Sequence, residues 1–314
     1  MYSLIIPVYK NEGSIPLLLA AINDINQKLD GQLEAVFVVD GSPDQSYALL
    51  KNSLPQASFR SKLLLHSRNF GSYAAIRAGL EIAEGQYFAV MAADLQEPPE
   101  LIVEFFQTLT SEAIDVAFGV RRSRKDPLLQ KIPAKIFWFL YKKLVNTDMP
   151  PGGIDIFACN LQFRNQLLVL NELNSSLVGL AFWLGFRRKM VAYDRIEREH
   201  GKSAWSFKKR LKYATDSLFA FSDFPIKFLY LIGVAGIALS IVSAFSVILA
   251  KIYGIIPVPG YARTTITIVF FAALNSMGLG IIGSYVWRAF ENTKLRPQSI
   301  VMSVLKFNLA DKKT

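Results

Sequence analysis

"YFAVMAADLQEPPELI", residues 87–102, decides the fold. An apolar run ends in one carboxylate, Asp94, and the chain then turns through Leu-Gln-Glu-Pro-Pro. A continuous apolar run closed by turn residues is the pattern of a strand buried on both faces. Such a strand carries its last side chain to the mouth of a sheet. Two carboxylates spaced Asp-x-Asp at that mouth would hold a divalent cation; here the partner position is Ala92.

The pattern recurs in "SLIIPVY" (3–9), "EAVFVVD" (34–40), "KLLLHS" (62–67) and "DVAFGV" (115–120). Between these runs, "NEGSIPLLLAAINDINQKL" (11–29) and "GSYAAIRAGLEIA" (71–83) have helical spacing. Buried strands alternating with amphipathic helices predict an α/β fold, a mostly parallel sheet covered on both faces. Ligands of such sheets bind beyond the carboxyl ends of the strands, where Pro7, Asp40 and Asp94 fall.

The rest of the chain has another character. It is 314 residues long, 52% hydrophobic and carries a net charge of +10. A basic chain suits phosphorylated ligands, an anionic bilayer or nucleic acid. Its single cysteine, Cys159, excludes an intrachain disulfide. The start, "MYSLIIPVYK", lacks the basic region and cleavage site of a signal sequence, so the N-terminal part is expected to stay in the cytoplasm. Residues 121–143 hold eight Lys/Arg against one Asp, with an apolar stripe at Ile132, Ile136, Leu140 and Leu144. Residues 206–225 again mix cations with Phe and Leu, as expected of a helix lying along lipid headgroups or packed on the domain surface.

Two stretches, 226–250 and 264–288, are long and apolar enough to span a bilayer. The linker 251–263 between them has few cations, whereas Lys208, Lys209, Arg210, Lys212, Arg288, Lys294 and Arg296 flank the pair. That asymmetry places both ends of the pair inside and the linker outside. The expected organisation is a cytoplasmic domain over 1–205, a juxtamembrane helix over 206–225, the two spans, and a cytoplasmic tail over 289–314. Cations concentrated beside apolar spans argue against nucleic acid as a partner.

"IIPVYKNEGSI", "VVDGSPD", "SRNFGSYAAIRAGL", "AADLQEPPELI", "GVRRSR", "PPGGIDIF" and "LGIIGSYVWRAFENTKLRPQSIV" occur in that order. Together they resemble inverting glycosyltransferase family 2, and within it the polyprenyl-phosphate glycosyltransferases with two C-terminal spans. The resemblance implies a Rossmann-like nucleotide-diphospho-sugar transferase domain. It also implies transfer of a hexose to undecaprenyl phosphate at the inner face of a bacterial plasma membrane, and an oligomer, with a tetramer favoured.

Site residues follow from the matched motifs. Pro7, Tyr9 and Glu12 lie in the first strand-to-helix turn, where the backbone can close over a nucleotide and Glu12 can take a ribose hydroxyl or base edge. Asn11 and Glu12 would equally cap the helix. The resemblance calls for two consecutive aspartates at the second strand; Val39 replaces the first, leaving Asp40 as a base or ribose acceptor or as a holder of the turn with Gly41, Ser42 and Asp44. Arg68 and Asn69 suit a diphosphate or base edge, or form a solvated loop.

At the opening stretch the resemblance calls for Asp-Ala-Asp-Leu-Gln-Asp-Pro-Pro; Ala92 and Glu97 depart from it. Three readings follow. Asp94 and Gln96 hold Mg2+ or Mn2+ together with the donor diphosphate; or Arg121, Arg122 and Arg124 neutralise the leaving group; or catalysis is lost. Asp155 matches the acidic residue near the acceptor, as a base or as a group positioning an acceptor that is already anionic. Arg198 and Ser203 match a phosphate-clamping element near the membrane. Two alternatives stand beside the lipid-phosphate transferase: an enzyme that extends a lipid-linked glycan or polysaccharide directly, and a catalytically silent membrane scaffold that binds a nucleotide sugar.

Overall fold

The computed structural model describes residues 1–122, 150, 154, 156–172, 175–196, 215–216, 219–253 and 260–308. Asp155, Arg198, Ser203 and Arg124 lie outside these described residues. The chain forms two units, Met1–Ala214 joined by Arg296–Thr314, and Thr215–Leu295.

The first unit is built on one sheet. β1 (Tyr2–Val8), α1 (Ile15–Lys28), β2 (Leu33–Val39), α2 (Ser46–Ser53), β3 (Arg60–His66), α3 (Ser72–Ile82), β4 (Tyr87–Val90) and α4 (Pro99–Ser111) alternate. β5 (Val116–Arg121), β6 (Ile156–Asn160), α5 (Leu161–Val169), α6 (Leu177–Trp183), β7 (Arg188–Tyr193) and β8 (Val301–Phe307) complete it. The described strands lie in the order β7-β5-β6-β4-β1-β2-β3-β8. The mixed α/β architecture read from the apolar runs is present, as is the Rossmann-like arrangement that the resemblance implied. Every residue of β2 is buried, as a strand sandwiched between helical layers requires. Phe37, Phe88, Phe105, Phe106, Phe118 and Phe157 fill the core. α3 lies close on the sheet because residue 79 is glycine: a Cβ there would sit 2.5 Å from Ile5 Cγ2.

Strand order fixes the place of the site. From β1 the chain steps to β2 and β3 on one side, then crosses to β4 on the other. The loops after β1 and β4 therefore diverge, and a crevice opens between their carboxyl ends. Pro7 belongs to this arrangement. Ile5 O accepts from Met91 N at 3.1 Å and Val8 O from Asp40 N at 3.0 Å, so alternate residues of β1 face β4 and β2. Pro7, two residues beyond Ile5, faces the β4 side past the last pair, Ile5 with Val90. A residue without an N–H sits there without breaking the ladder.

Three expectations change. β4 stops at Val90 and does not run on to Asp94, because Leu95 takes a left-handed φ of 54° and its N–H closes a turn on Ala92 O at 3.3 Å. Part of the stretch expected near the acceptor is a strand: β6 runs antiparallel between β4 and β5, with Phe157 buried against Phe118. The expected tail is not a tail, because β8 pairs antiparallel with β3 at the sheet edge. Its period-two pattern turns Leu305 and Phe307 onto the core and leaves Met302 and Val304 exposed.

The second unit contains α7 (Phe224–Ile252) and α8 (Tyr261–Thr293). Among the described residues one segment, Phe270–Thr293, is long and apolar enough to cross a membrane; Phe224–Gly236 is a shorter apolar segment. Arg288 on α8 pairs with Asp216 at 2.7 Å, and the Phe219 ring packs on Tyr285 at 5.1 Å.

A buried charge group ties the amino ends of the strands together. Lys62 Nζ lies 2.8 Å from Glu34 and 2.7 Å from Glu84, and it donates to Ile82 O. Glu34 also accepts from the Ser3 hydroxyl at 2.6 Å. Removing one member of a buried pair strands the other charge. Lys62→Met is therefore expected to lower unfolding free energy by ~3–5 kcal/mol in denaturant titration. The double variant Lys62→Met/Glu34→Leu is expected to recover most of that loss.

Candidate active site

Four loops meet at the carboxyl ends of β1 to β4. The first two are laced backbone to side chain. Lys10 N donates to Ser42 Oγ (2.7 Å), Asn11 N to Ser46 Oγ (3.2 Å), Glu12 N to Asp44 (3.1 Å) and Gln45 N to the Glu12 carboxylate (2.9 Å). Tyr9 N donates to Asn11 Oδ1 at 3.1 Å. The lacing holds Lys10 in a left-handed turn with φ 57°. Glu12 braces the second loop through one carboxylate oxygen and remains exposed.

Asp44, a turn residue by sequence, is the hub of this lacing. Partial burial pushes its carboxyl up, but hydrogen bonds from the Ser42 and Ser46 hydroxyls and the Glu12 and Ser46 N–H groups outweigh that and hold it below the usual range.

Asp40 is not presented as an open acceptor. It is 2% exposed and faces the third loop. Its carboxylate accepts from Phe70 N at 2.8 Å and Gly71 N at 2.7 Å, and lies 2.9 Å from His66 Nδ1. Its carbonyl accepts from Asn69 Nδ2 at 3.2 Å, so Asn69 also serves the loop. Asp40 holds the 67–71 loop, and not the turn with Gly41, Ser42 and Asp44. Arg68 is exposed, its guanidinium 4.0 Å from the Phe70 ring centroid. His66 was read only as part of a strand; its partner lies 26 positions away, and nothing local in the sequence marks the contact.

The fourth loop carries the opening stretch. Asp94 is half-buried and accepts from Gln96 N at 3.4 Å. Glu97 is buried, its carboxylate accepting from Ala92 N at 3.1 Å. The segment after β7 runs alongside: Ile196 N donates to Gln96 O at 3.0 Å, and the Arg195 guanidinium donates to Gln96 Oε1. Arg195 is a cation at the site that no motif marked. Arg121 ends β5, and Arg122 pairs with Asp194 at 3.3 Å. The structure therefore gathers Pro7, Tyr9, Glu12, Arg68, Asn69, Asp94, Gln96, Arg121 and Arg122 at one end of the sheet.

The donor set for a metal is thin. No group of three or more His, Cys, Asp or Glu side chains gathers among the described residues. Asp94 offers one carboxylate, and the Gln96 oxygen already faces a guanidinium. Hard oxygen donors of this kind suit Mg2+ or Mn2+, which commonly take one or two carboxylates and complete their shell with water and substrate phosphates. The residues present fit such an ion only with a diphosphate supplying the remaining oxygens.

Residues 3–168 match glycosyl transferase family 2. The chain belongs to that family. It is 31% identical to the putative glycosyltransferase CsbB of Bacillus subtilis, over 96% of this chain and 91% of that protein. It is 28% identical to the prophage bactoprenol glucosyl transferase homolog of Escherichia coli, over 97% of this chain and 99% of that protein. Among solved structures, the mannosyltransferase PcManGT from Pyrobaculum calidifontis in complex with GDP-Man and Mn2+ aligns with a TM-score of 0.47 and 14% identity, over 92% of this chain and 87% of that one. The family 2 match spans all four loops of the crevice.

Gly41 lets the second and third loops meet. Its φ is +56°, and a Cβ there would lie 2.5 Å from Asn69 N and closer still to the Arg68 carbonyl carbon. Gly41→Ala combines left-handed strain of ~1–2 kcal/mol with that clash. It is expected to lower transferase turnover at least ~10-fold, equivalent to ~1.4 kcal/mol, in an assay of sugar transfer by the purified protein.

Proposed function

We propose that this family 2 glycosyltransferase moves a hexose, with inversion, from a nucleotide-diphosphate sugar to a polyprenyl phosphate, undecaprenyl phosphate in a bacterium. The observation that carries the reading is the near full-length match to a protein named as a bactoprenol glucosyl transferase homolog. The reaction runs at the cytoplasmic face of the plasma membrane, and the lipid-linked sugar then serves surface glycan modification.

The chemistry is a displacement. An oxygen of the acceptor phosphate attacks the anomeric carbon from the face opposite the diphosphate. The new carbon–oxygen bond forms as the bond to the β-phosphate oxygen breaks, and the nucleoside diphosphate leaves with the electron pair. The acceptor is already anionic, so the chain's work is positioning and charge neutralisation rather than strong base catalysis. Pro7, Tyr9 and Glu12 close over the nucleotide. Arg68, Arg121 and Arg122 face the diphosphate, Asp155 orients the acceptor, and Arg198 and Ser203 hold its phosphate. Asp94 and Gln96 would hold Mg2+ or Mn2+ together with the diphosphate, and the bound ion would add to the neutralisation of the leaving group.

Two features support a membrane hairpin. Leu231, Phe245, Leu279 and Val286 are between 62% and 70% exposed, so α7 and α8 carry apolar surface that water does not favour. The chain also leaves the sheet unit before α7 and rejoins its sheet through β8. A segment that starts and ends in one cytoplasmic domain crosses a bilayer an even number of times. On this reading the helices form two spans, residues 226–250 and 264–288, and provide the surface for self-association, with a tetramer favoured.

The activity test is purified protein with labelled nucleotide sugars and undecaprenyl phosphate, with and without Mg2+ or Mn2+. A lipid-phosphate sugar is expected, and Asp94→Ala is expected to form it ~100-fold more slowly. A lengthened glycan would mean direct extension, and donor binding without turnover a silent scaffold. For topology, Gly260→Cys is expected to react in intact cells with a membrane-impermeant maleimide, and Lys306→Cys only after lysis. Labelling of both in intact cells would rule out the even-crossing arrangement.

A further inference from the structure

We propose that His66 and Asp40 form a positioning pair whose output is the Arg68 guanidinium. The inference rests on the reading that Arg68 meets the donor diphosphate.

The contacts form a column. Asp40 Oδ1 lies 2.9 Å from His66 Nδ1, and both side chains are almost completely buried. The His66 ring stands edge-on to Phe70, centroids 5.6 Å apart and planes at 87°. The Arg68 guanidinium lies 4.0 Å from the centroid of that Phe70 ring. Phe70 N donates to the same Asp40 oxygen that meets His66. One buried carboxylate therefore sets both the backbone and, through the histidine, the ring on which the exposed cation rests.

The histidine has a specific part. Its Nε2 is buried with no hydrogen-bond partner among the described residues, while Nδ1 faces the carboxylate. The hydrogen bond made by one ring nitrogen fixes the tautomer, so Nδ1 carries the proton and donates to Asp40. An aliphatic side chain would fill the space but remove both that donor and the edge of the Phe70 contact. A guanidinium on a flexible stem loses considerable side-chain entropy when it is held for a ligand. A ring fixed from behind keeps it in place before the ligand arrives, which is preorganisation. His66 touches no reacting atom and acts through Phe70 and Arg68.

Calorimetry with inorganic pyrophosphate and with UDP or GDP tests this on the full-length protein in detergent. Arg68→Ala is expected to weaken the best-bound probe about 10-fold, the order for one charge-assisted contact. His66→Ala should weaken it several-fold with Arg68 intact. The double variant should bind no more weakly than Arg68→Ala alone, because residues in one network are non-additive. His66→Asn, whose amide can donate from near the Nδ1 position but presents no ring edge to Phe70, should recover part of the affinity and keep the proposal testable if His66→Ala folds poorly. Additive losses, or native binding by His66→Ala, overturn the positioning role, as does a folded His66→Asn that binds no better than Arg68→Ala. Native binding of every probe by Arg68→Ala overturns the underlying assignment of Arg68 instead.

Discussion

Asp40 is 2% exposed, and a carboxylate so far out of water must be surrounded by donors. Those donors are Phe70 N, Gly71 N and the His66 ring, at the end of β3 and the start of α3. The requirement folds the 67–71 loop down onto the end of β2. That loop in turn demands the missing Cβ of Gly41. The carboxylate thus joins two neighbouring strand ends, and the lacing of Lys10, Asn11 and Glu12 onto Ser42, Ser46 and Asp44 adds a third. The loops are held because Asp40 has no solvent to turn to and the lacing ties the first loop to the second.

The opposite end of the sheet follows the same logic with another chemistry. Lys62, Glu34 and Glu84 meet near the amino ends of the strands, far in sequence from the ligand-facing loops. Buried charges at both ends leave the middle of the sheet to Phe37, Phe88 and Phe118. A one-residue slip would turn each of these side chains to the other face and break the polar contacts at both ends. Strand alignment, and with it the height of each loop above the sheet, is set at the ends.

Much of this was legible in the sequence, for a physical reason. β1 to β5 are covered on both faces or nearly so, and a doubly buried strand has to be apolar throughout. β6, β7 and β8 escaped notice. The apolar run of β6 is only four residues long, and β7 and β8 are half-exposed with mixed polarity, so none has the long unbroken apolar signature. Strand ends and loop residues stand out as candidates because side chains there are polar by position. Orientation was not legible: an aspartate after a strand looks the same whether it faces a ligand or the interior. For Asp40 the deciding partners are 26 to 31 positions away. Arg195 was missed because its contact with Gln96 joins elements 99 positions apart. Ala92 is visible in the sequence as a position without a carboxylate, but the turn that Glu97 closes on its N–H depends on a buried side chain no pattern specifies.

β8 has a temporal meaning as well. It is synthesised after α7 and α8, yet it covers the edge of β3, a strand made more than two hundred residues earlier. Until it arrives, β3 exposes a row of unpaired backbone groups, the kind of edge that recruits stray strands. Completion of the sheet must wait for both apolar helices to be made. A chain that stops short of β8 keeps that edge bare, so a truncated product carries an unfinished β-sheet.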